Sequence, residues 1–468
     1  MRGLVDLNAP RNNDGLRVGL DVGTTAVKAA ALTGRGEVIA RARGALPPVA
    51  FDGSRATQPI AEVLATARRV LVELLASLEE AGAGPVAFVA ITTQRDTVVT
   101  LDAEGHPSSE LVSWLDRRWL DAGSLWDALV MDGEAQPAAV RSLTSFLTEA
   151  WTGRAVESRA TVPRDLSGAA HDRLVAFAGA AVDLPAVLPI GAPAGALNLP
   201  HAGKAALHVT AGDKNCELLG GGVRSPVTAG LSLGTGISLG TLAGGAVDGV
   251  LECEEPGNEG GREEEPGVVQ TRAALYGRWN LEVGLLGAWD APGLRAALRS
   301  HGGPDAQLQR DVFCVPYYGG ALDTPGARPV FAGLPAEADG SLLLQAWAQG
   351  IVGELRRMRP ALERASGAAL ESVVLSGGHS DSSGWPQLVA DGLALPVRAA
   401  GDAWLGAIGA VAAVEEASGT GGAAVSPWSP SLEAGGVTQP SSDTASTRRY
   451  YEAWDRLAAA SRAEAARR

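Results

Sequence analysis

The stretch 17-RVGLDVGTTAVKAAAL-32 predicts a β-hairpin, because two apolar runs flank a tight turn at 23-GTT-25. A second stretch, 231-LSLGTGISL-239, has the same Leu-x-x-Gly-Thr pattern as 20-LDVGTTAVK-28. Two hairpins of one design, one in each half of the chain, favour a duplicated architecture with a ligand between the halves. Coincidence is the weaker explanation, because the flanking strands match as well.

The rest of the chain alternates predicted strands with predicted helices, which indicates an α/β fold. A length of 468 residues exceeds what one hydrophobic core usually serves, so two domains are expected. Apolar residues at helical spacing predict a long helix at 341–365, which Pro360 should bend or end. We expect a disordered head at 1–16, a first domain at 17–225, a second domain at 226–417, a linker at 418–446 and a terminal helix at 447–468.

The composition narrows the class of protein. A net charge of −14 argues against nucleic-acid and anionic-membrane partners, which require a basic face. No apolar run is long enough to cross a bilayer or to form a signal peptide. Cys216, Cys253 and Cys314 lack metal-ligand spacing, so we expect free thiols in a reducing cytoplasm. The oligomeric state stays open, a homodimer included.

The first hairpin carries groups that suit a phosphorylated ligand. Its Gly-Thr-Thr turn presents backbone N–H groups and hydroxyls to phosphate oxygens. Asp21 ends the first strand, where it could hold Mg²⁺ through water, and Lys28 follows on the second arm. An ordinary β-turn with a solvated Asp and Lys is the alternative.

A second acidic residue, Asp213, follows the strand-like run 206-ALHVT-210. A carboxylate at this position could accept the proton of an attacking hydroxyl during phosphoryl transfer. It could also cap the helix that begins here, and the two roles are compatible. A separate Gly-Gly pair, Gly377 and Gly378, follows another predicted strand and would let a flat ligand approach the backbone.

The order DVGTT, TTQRDT, SWLDRR, AGDK, LSLGTG and LSGGHS resembles the FGGY family of carbohydrate kinases, and most closely its glycerol-kinase branch. The likeness runs from about Arg17 to Val414. It implies two actin-like (ribonuclease H-like) domains with a nucleotide cleft between them. It also implies ATP as phosphoryl donor, Mg²⁺ as metal ion, and a small polyol, sugar or sugar acid as acceptor.

Site residues follow from this resemblance position by position. It implies a catalytic base at Asp213, with Asp21 and Asp213 near the metal. For the acceptor it implies Gln94, Arg95, Asp96 and Trp114, to which Lys214 is added as a hypothesis. For the nucleotide it implies, with Lys28 added from the hairpin, Gly23, Thr24, Thr25, Gly234, Thr235, Gly236, Gly377, Gly378, Ser380 and Asp381.

Three departures from the family pattern put the acceptor in doubt. Lys214 replaces the usual Gln after the base, Asp96 replaces a Glu, and the segment between Arg118 and Trp151 is shorter. The Lys214 cation would suit an acceptor with an anionic group, such as a sugar acid. It could equally pair with Asp96 or Asp213 and lower the pKa of that carboxyl group.

Two other functions compete with the kinase interpretation. One is a catalytically silent relative that senses a sugar or a nucleotide, and the other is an ATPase of the same superfold. Asp21, Asp213 and both Gly-Thr turns are retained, which a silent relative would not need. The motifs TTQRD and SWLDRR disfavour a pure ATPase, because it has no acceptor to bind.

Overall fold

The structure, a computed structural model, describes residues 15–116, 118, 137–158, 160–161, 182–234, 237–243, 267–273, 312–317, 327–338, 340–377, 384–400, 404–418, 436–441 and 444–467. The chain divides into two compact units, Met1–Gly220 with Trp404–Ser429, and Gly221–Ala403 with Pro430–Arg468. Among the described residues, no helix is both long and apolar enough to cross a membrane.

Strands outnumber helices in the described part of the chain. The helices are α1 (Ile60–Glu80), α2 (Leu143–Thr152), α3 (Asp213–Gly220), α4 (Gly340–Ser366), α5 (Trp385–Leu393), α6 (Leu405–Ala417) and α7 (Thr444–Ala466). The strands are β1 (Leu16–Val22), β2 (Ala26–Leu32), β3 (Val38–Ala45), β4 (Ala50–Asp52), β5 (Arg55–Gln58), β6 (Val86–Thr93), β7 (Val98–Leu101), β8 (Leu111–Val112), β9 (Ala139–Ser142), β10 (Val156–Ser158), β11 (Ala186–Leu188), β12 (Pro193–Ala196), β13 (Ala206–Val209), β14 (Thr228–Leu233), β15 (Ile237–Ala243), β16 (Gly267–Ala273), β17 (Phe313–Val315), β18 (Val330–Ala332), β19 (Ser372–Ser376), β20 (Val397–Ala399) and β21 (Val437–Thr438).

Each unit is built on a six-stranded sheet, and the two sheets share one arrangement. The first has the order β12-β13-β6-β1-β2-β3, and the second has the order β16-β15-β14-β19-β20-β21. In each, an antiparallel trio of successive strands (β1–β3, β14–β16) is extended from its first strand by two parallel strands. The predicted α/β class and the predicted internal duplication are therefore confirmed.

The core of the first unit lies on the faces of its large sheet. Helix α1 forms because apolar residues recur on one face, and it buries Leu71, Leu74 and Leu78 with Leu20 of β1 and Ile91 of β6. Helix α2 begins at an N-cap, where the hydroxyl of Ser142 accepts the N–H of Ser145. It ends at Gly153, whose φ of 73° is typical of a helix C-cap.

The last helix before the C-terminal segment, α6, returns to the first unit. The expected second domain, 226–417, includes α6, but α6 packs on β1 and on α3 of the first unit. A β-carbon on Gly19 would overlap the carbonyl oxygen of Ala407, and one on Gly409 would overlap that of Cys216. The small residues of the stretch 405–413 allow this close approach, which a sequence period alone does not reveal.

The second unit has an aromatic core. Trp347 of α4 and Trp385 of α5 meet edge to face with ring centroids 6.1 Å apart. Helix α7 adds Tyr451 and Trp454, and the Trp454 indole donates to the carbonyl of Cys314 at 2.7 Å. Because all these aromatic groups are buried, α7 is part of the unit's core rather than an appendage.

Three expected boundaries are corrected by the structure. Pro360 was expected to bend or end α4, and the end is wrong: the helix continues through Pro360, with the buried residues Leu355 and Leu362 on either side of it. The expected linker at 418–446 contains β21, which pairs with β20. The terminal helix begins at Thr444 rather than at 447. Residues 1–14, most of the expected head, lie outside the described residues.

The contact between α6 and α3 yields a stability prediction. Gly409→Ala should lower the free energy of unfolding by about 1–3 kcal/mol, because the added methyl group overlaps the Cys216 carbonyl. In an open helix the same change would raise stability by up to about 1 kcal/mol. Gly436→Ala is the control, since a β-carbon there has no atom within 4 Å. Denaturant unfolding measures both, and a Gly409→Ala protein as stable as its parent would refute the close packing.

Candidate functional site

Asp21 is the centre of a cluster of charged side chains in the first unit. It lies one residue before the end of β1 and is opposite Lys28 in the β1–β2 register. Burial raises the pKa of Asp21 to about 7; Lys28 lowers it, and the negative charges of Asp213 and Glu217 raise it further. The fold therefore brings Asp21, Lys28 and Asp213 close together, three residues that the sequence singled out separately.

The Asp21 carboxylate fits the requirements of a Mg²⁺ ligand. Its Oδ1 atom is buried and accepts no hydrogen bond from the residues that the structure describes. An orphaned carboxylate oxygen is costly unless a cation or water occupies it. Within the described ranges, no three His, Cys, Asp or Glu residues form a metal-binding group. Mg²⁺ binds one or two carboxylates and takes its other ligands from phosphates and water, so a single orphaned carboxylate oxygen can serve it.

Asp213 is the first residue of α3. The carbonyl of Gly212 accepts the N–H of Cys216, which puts the helix cap at Gly212 rather than at Asp213. The Asp213 side chain is about one-fifth exposed. It is therefore partly accessible, as a group that meets a ligand must be.

Lys214 is paired with carboxylates of its own helix. Its Nζ lies 3.0 Å from Oε2 of Glu217 and 4.0 Å from Oδ2 of Asp213. Burial alone would lower the pKa of Lys214, but Glu217 and Asp213 outweigh it and raise that pKa. The alternative that Lys214 pairs with Asp213 is confirmed, and Glu217 is a partner that the sequence reasoning missed. Its spacing of three residues on a helix was the available signal.

Arg95 lies directly against the backbone that leads into Asp213. A β-carbon on Gly212 would overlap the Cγ and Cδ atoms of Arg95, whose side chain is buried. The next residue, Asp96, has a φ of 51°. Asp adopts this left-handed conformation more readily than most residues, which offers a physical reason for Asp where the family has Glu.

A hydrogen-bond network links the first turn to two predicted acceptor residues. The hydroxyl of Thr24 accepts the indole N–H of Trp114 at 2.9 Å and donates to Oε1 of Gln94 at 2.9 Å. Gln58, which the sequence did not suggest, donates to the carbonyl of Thr24 at 3.0 Å and accepts from Gln94 at 3.3 Å. The Gly23 N–H closes the turn by donating to the carbonyl of Ala26 at 3.1 Å. The turn, Gln58, Gln94 and Trp114 therefore form one hydrogen-bonded assembly.

The motif SWLDRR serves two purposes. Trp114 reaches the turn at Thr24, whereas Asp116 is fully buried and pairs with the Arg118 guanidinium at 2.9 Å. Asp116 also accepts the backbone N–H of Ala56 at 3.0 Å. The second half of the motif, through Asp116, therefore holds strand β5 in place.

Lys28 lies beside an aromatic residue that the sequence did not predict. Its Nζ is 5.7 Å from the ring centroid of Trp404, and the Arg41 guanidinium is 5.2 Å from the same ring. The Trp404 indole donates to the carbonyl of Ala42 at 3.3 Å. Trp404 is the residue immediately before α6, and it therefore links the start of this helix to strand β3.

The predicted nucleotide residues of the second unit are described only in part. Gly234 follows β14 and Gly377 follows β19, and these two strands are parallel neighbours. Gly377 has a φ of 98°, and a β-carbon on it would overlap the backbone of Leu233. Only glycine fits there, because the backbone of β14 occupies the place of a side chain. Thr235, Gly236, Gly378, Ser380 and Asp381 lie outside the described residues.

Glu157 is a buried acid of the first unit that no sequence motif indicated. Its side chain is in β10, it is 1% exposed, and it accepts hydrogen bonds from the hydroxyls of Ser142 and Thr161. Burial raises the pKa of Glu157 to about 7, while its hydrogen bonds and the charge of Arg95 lower it. Residues 142 and 157 are too far apart in the sequence for any spacing rule to connect them.

The two buried cysteines are free thiols in the described residues, and Cys253 lies outside them. Burial raises the pKa of Cys216 to about 12, so its thiol is neutral below that pH. It lies in α3 against the carbonyl of Ala211. The position is structural.

Comparison with known protein families gives two matches. Residues 16–149 match the N-terminal domain of the FGGY family of carbohydrate kinases, and residues 269–414 match its C-terminal domain. Together the two matches cover more than half of the chain. An apulose kinase from Pectobacterium atrosepticum is 34% identical over 128 residues. That alignment spans 27% of this chain and 24% of the apulose kinase.

Solved structures resemble nearly the whole chain. A xylulose kinase from Brucella ovis matches with a TM-score of 0.73 and 20% identity, over 95% of this chain and 99% of that one. A glycerol kinase from Plasmodium falciparum, solved with ADP, matches with a TM-score of 0.71 and 15% identity, over 96% and 98%. These likenesses support the two-domain actin-like fold. They do not separate the branches of the family, so the glycerol-kinase branch stays a prediction.

The network at the first turn predicts the effect of losing one hydroxyl. Thr24→Val removes the acceptor for the Trp114 indole and the donor to Gln94, and should lower the free energy of unfolding by about 1–2 kcal/mol. Thr24→Ser keeps the hydroxyl and should retain most of that stability. Denaturant unfolding of the two variants measures the difference. Equal stability would show that the network contributes nothing.

The buried carboxyl group of Glu157 predicts a pH dependence of stability. Its pKa is raised from 4.5 to about 7, so the folded state keeps a proton that the unfolded state loses. This stabilising effect is complete below about pH 4.5 and disappears as the pH rises through 7. Glu157→Gln should therefore gain up to about 3 kcal/mol relative to wild type between pH 5 and pH 8. Denaturant unfolding at both pH values tests it, and a constant difference would contradict the shift.

Proposed function

The chain belongs to the FGGY family of carbohydrate kinases, and from that premise we propose that it transfers the terminal phosphoryl group of ATP to a hydroxyl of a small neutral sugar or polyol. The observation that carries this proposal is the meeting of three groups in the first unit. Arg95 lies against Gly212, Asp213 follows it, and the charge of Asp213 acts on Asp21. A substrate arginine, a base and a metal-binding carboxylate are the groups that phosphoryl transfer requires.

Asp213 is the proposed general base. Its carboxylate accepts the proton of the acceptor hydroxyl as the oxygen attacks the terminal phosphorus, and the bond from that phosphorus to the bridging oxygen of ADP breaks. Lys214 and Glu217 belong to the same helix as the base. The Lys214 ammonium group lies 4.0 Å from the Asp213 carboxylate and 3.0 Å from that of Glu217. Asp213 starts a helix whose close packing on α6 leaves it little freedom, so the base is positioned before the acceptor arrives.

Mg²⁺ is the proposed metal ion, and Asp21 with Asp213 would hold it. When bound, the ion would neutralise phosphate charge during transfer. Gly23, Thr24 and Thr25 supply a turn whose N–H and hydroxyl groups suit phosphate oxygens, and Lys28 is opposite Asp21. In the second unit Gly234 and Gly377, with Thr235, Gly236, Gly378, Ser380 and Asp381, are the proposed nucleotide residues. We accordingly assign the acceptor and the base to the first unit and adenosine to the second.

The proposed acceptor residues are Gln94, Arg95, Asp96 and Trp114. Gln94 and Trp114 are tied to Thr24, so the acceptor residues and the phosphate turn would respond to one another. Arg95 and Asp96 offer a donor and an acceptor for hydroxyl groups. The Trp114 ring supplies an apolar face, which suits a sugar or polyol carbon chain.

A neutral acceptor is favoured over a sugar acid by the pairing of Lys214. An anionic acceptor would have to compete with Glu217, 3.0 Å from the ammonium group, and with Asp213. Breaking a partly buried pair leaves a carboxylate without its counter-charge, which is costly. Lys214 therefore acts within α3 rather than as a receptor for carboxylates.

The free thiols of Cys216 and Cys314 support a reducing cytoplasm as the location.

The decisive experiment measures ADP release from Mg-ATP against glycerol, tetritols, pentitols, ketoses and sugar acids. Wild type should turn over a neutral compound, and Asp213→Asn should reduce that turnover by a factor of about 10² or more. Asp213→Asn is close to isosteric, so unchanged ATP binding would show that the loss is chemical. If wild type acts on none of these compounds while still binding ATP, a catalytically silent sugar- or nucleotide-sensing protein becomes the better interpretation of this chain.

Glu217→Gln tests the choice between neutral and acidic acceptors. The variant removes the 3.0 Å partner of Lys214 and should improve turnover of sugar acids relative to neutral acceptors. Lys214→Gln is the matched control and should leave neutral acceptors preferred. A wild-type enzyme that prefers a sugar acid, with the preference lost in Lys214→Gln, would refute the neutral-acceptor proposal.

A further inference from the structure

The carboxylate of Asp21 lies between two glycine residues. A β-carbon on Gly406, in the first turn of α6, would lie 2.5 Å from Oδ2 and 2.7 Å from Cγ of Asp21. A β-carbon on Gly23, in the turn between β1 and β2, would lie 4.0 Å from Oδ1. The first two distances are too short for any real side chain, whereas the third is an ordinary contact. Oδ2 therefore packs on the main chain of α6, and Oδ1 lies on the side of the Gly-Thr-Thr turn.

The pleat of β1 explains why this contact exists. Successive side chains of a strand point to opposite faces, so Gly19 and Asp21 share the face of β1 that α6 covers. A β-carbon on Gly19 would overlap the carbonyl oxygen of Ala407 in α6, so strand and helix meet there through their backbones. At this separation the carboxylate of Asp21 fits only over a residue without a β-carbon. Gly406, which is buried, is that residue.

The start of α6 is held in place at this contact. Trp404, the N-cap residue, has a φ of 47°, a left-handed conformation that is unfavourable for a bulky side chain. Its indole donates to the carbonyl of Ala42 in β3 at 3.3 Å, and the Arg41 guanidinium lies 5.2 Å from its ring centroid. A backbone conformation of this kind persists only where the surroundings impose it. The first turn of α6 is thus fixed relative to the sheet that carries Asp21.

We propose that Gly406 is a positioning residue for the metal ion: because it has no side chain, the Asp21 carboxylate rests on α6 with Oδ1 towards the phosphate-binding turn. This inference rests on the proposed function, in which Asp21 holds Mg²⁺. Oδ1 is buried and accepts no hydrogen bond from the described residues, so no group in that part of the chain competes with a cation for it. Gly406 acts only through Asp21.

Binding of Mn²⁺, a paramagnetic substitute for Mg²⁺, tests the proposal without turnover. Electron paramagnetic resonance titration of the full chain with a non-hydrolysable ATP analogue gives the dissociation constant of the ion. Gly406→Ala should raise that constant about tenfold, because the added methyl group displaces the carboxylate. An unchanged constant would overturn the proposal.

Gly44→Ala is the matched control for the metal titration. A β-carbon on Gly44 would lie 2.7 Å from Cγ2 of Val70 in α1, which covers the opposite face of the same sheet. The control variant is therefore also overpacked, but away from Asp21. It should bind Mn²⁺ as wild type does, and a loss as large as that of Gly406→Ala would show that any overpacking of the unit weakens the site, which would overturn the positioning role.

The contact itself is tested by unfolding, which needs no ligand. Gly406→Ala should lower the denaturation midpoint of wild type, because Oδ2 and Cγ of Asp21 leave no room for a methyl group. In an Asp21→Ala background those atoms are absent, so the same change should cost much less. If Gly406→Ala does not fold, adding Asp21→Ala should restore folding. Equal losses in the two backgrounds, or a double variant that stays unfolded while Asp21→Ala folds, would overturn the proposal.

Asp21→Asn separates this inference from the proposed function. It should weaken Mn²⁺ binding at least as much as Gly406→Ala does. If wild type binds no Mn²⁺ with the analogue, or Asp21→Asn binds it unchanged, the metal role of Asp21 in the proposed function fails and this inference fails with it. If Asp21→Asn weakens binding and Gly406→Ala does not, only the inference fails.

Discussion

The site of the first unit depends on how closely α6 approaches two other elements. Gly19 of β1 and Gly409 of α6 leave room for backbone to contact backbone, where any β-carbon would overlap a carbonyl oxygen. Strand β1 carries Asp21, and α3, the other element against α6, begins with Asp213. The separation of the two carboxylates is therefore set by main-chain contacts, which are far stiffer than side-chain contacts. A small change in this packing would move both groups.

Around that contact the protein buries an unusual amount of charge. Asp21, Arg95 and Glu157 are each at least nine-tenths buried, and Lys214 is largely enclosed. Lys214 pairs with Glu217 at 3.0 Å, and the charges of Lys28 and Arg95 lower the pKa values of Asp21 and Glu157, which burial raises. Such pairs contribute little to stability, because desolvation offsets attraction, but they fix direction and protonation state. A kinase needs side chains with a fixed direction and protonation state, because its catalysis consists mainly of positioning and electrostatics.

Much of this was predictable, and the errors have identifiable causes. Periodicity and turn residues were sufficient for α1, for the β1–β2 hairpin and for its repeat at β14–β15, because these signals are local. The resemblance to the family added Arg95 to Asp213, which its position after a strand had already indicated, and the structure brings their chain segments into contact. The misassigned α6 shows the limit of local signals. Its sequence is apolar on every side up to Glu415, which predicts a buried helix and does not say which unit buries it.

The sequence by itself determined the α/β class, the duplicated hairpins, the family and the order of the chemistry-bearing motifs. It could do so because each of these is written in short stretches whose spacing and residue types have a physical meaning. Only the tertiary structure decided that Lys214 pairs with Glu217, that Thr24 joins Trp114 to Gln94, and that Glu157 is buried against Ser142 and Thr161. The physical reason is that a side chain's charge state and direction depend on which distant groups exclude water from it, and sequence spacing does not record distance in space.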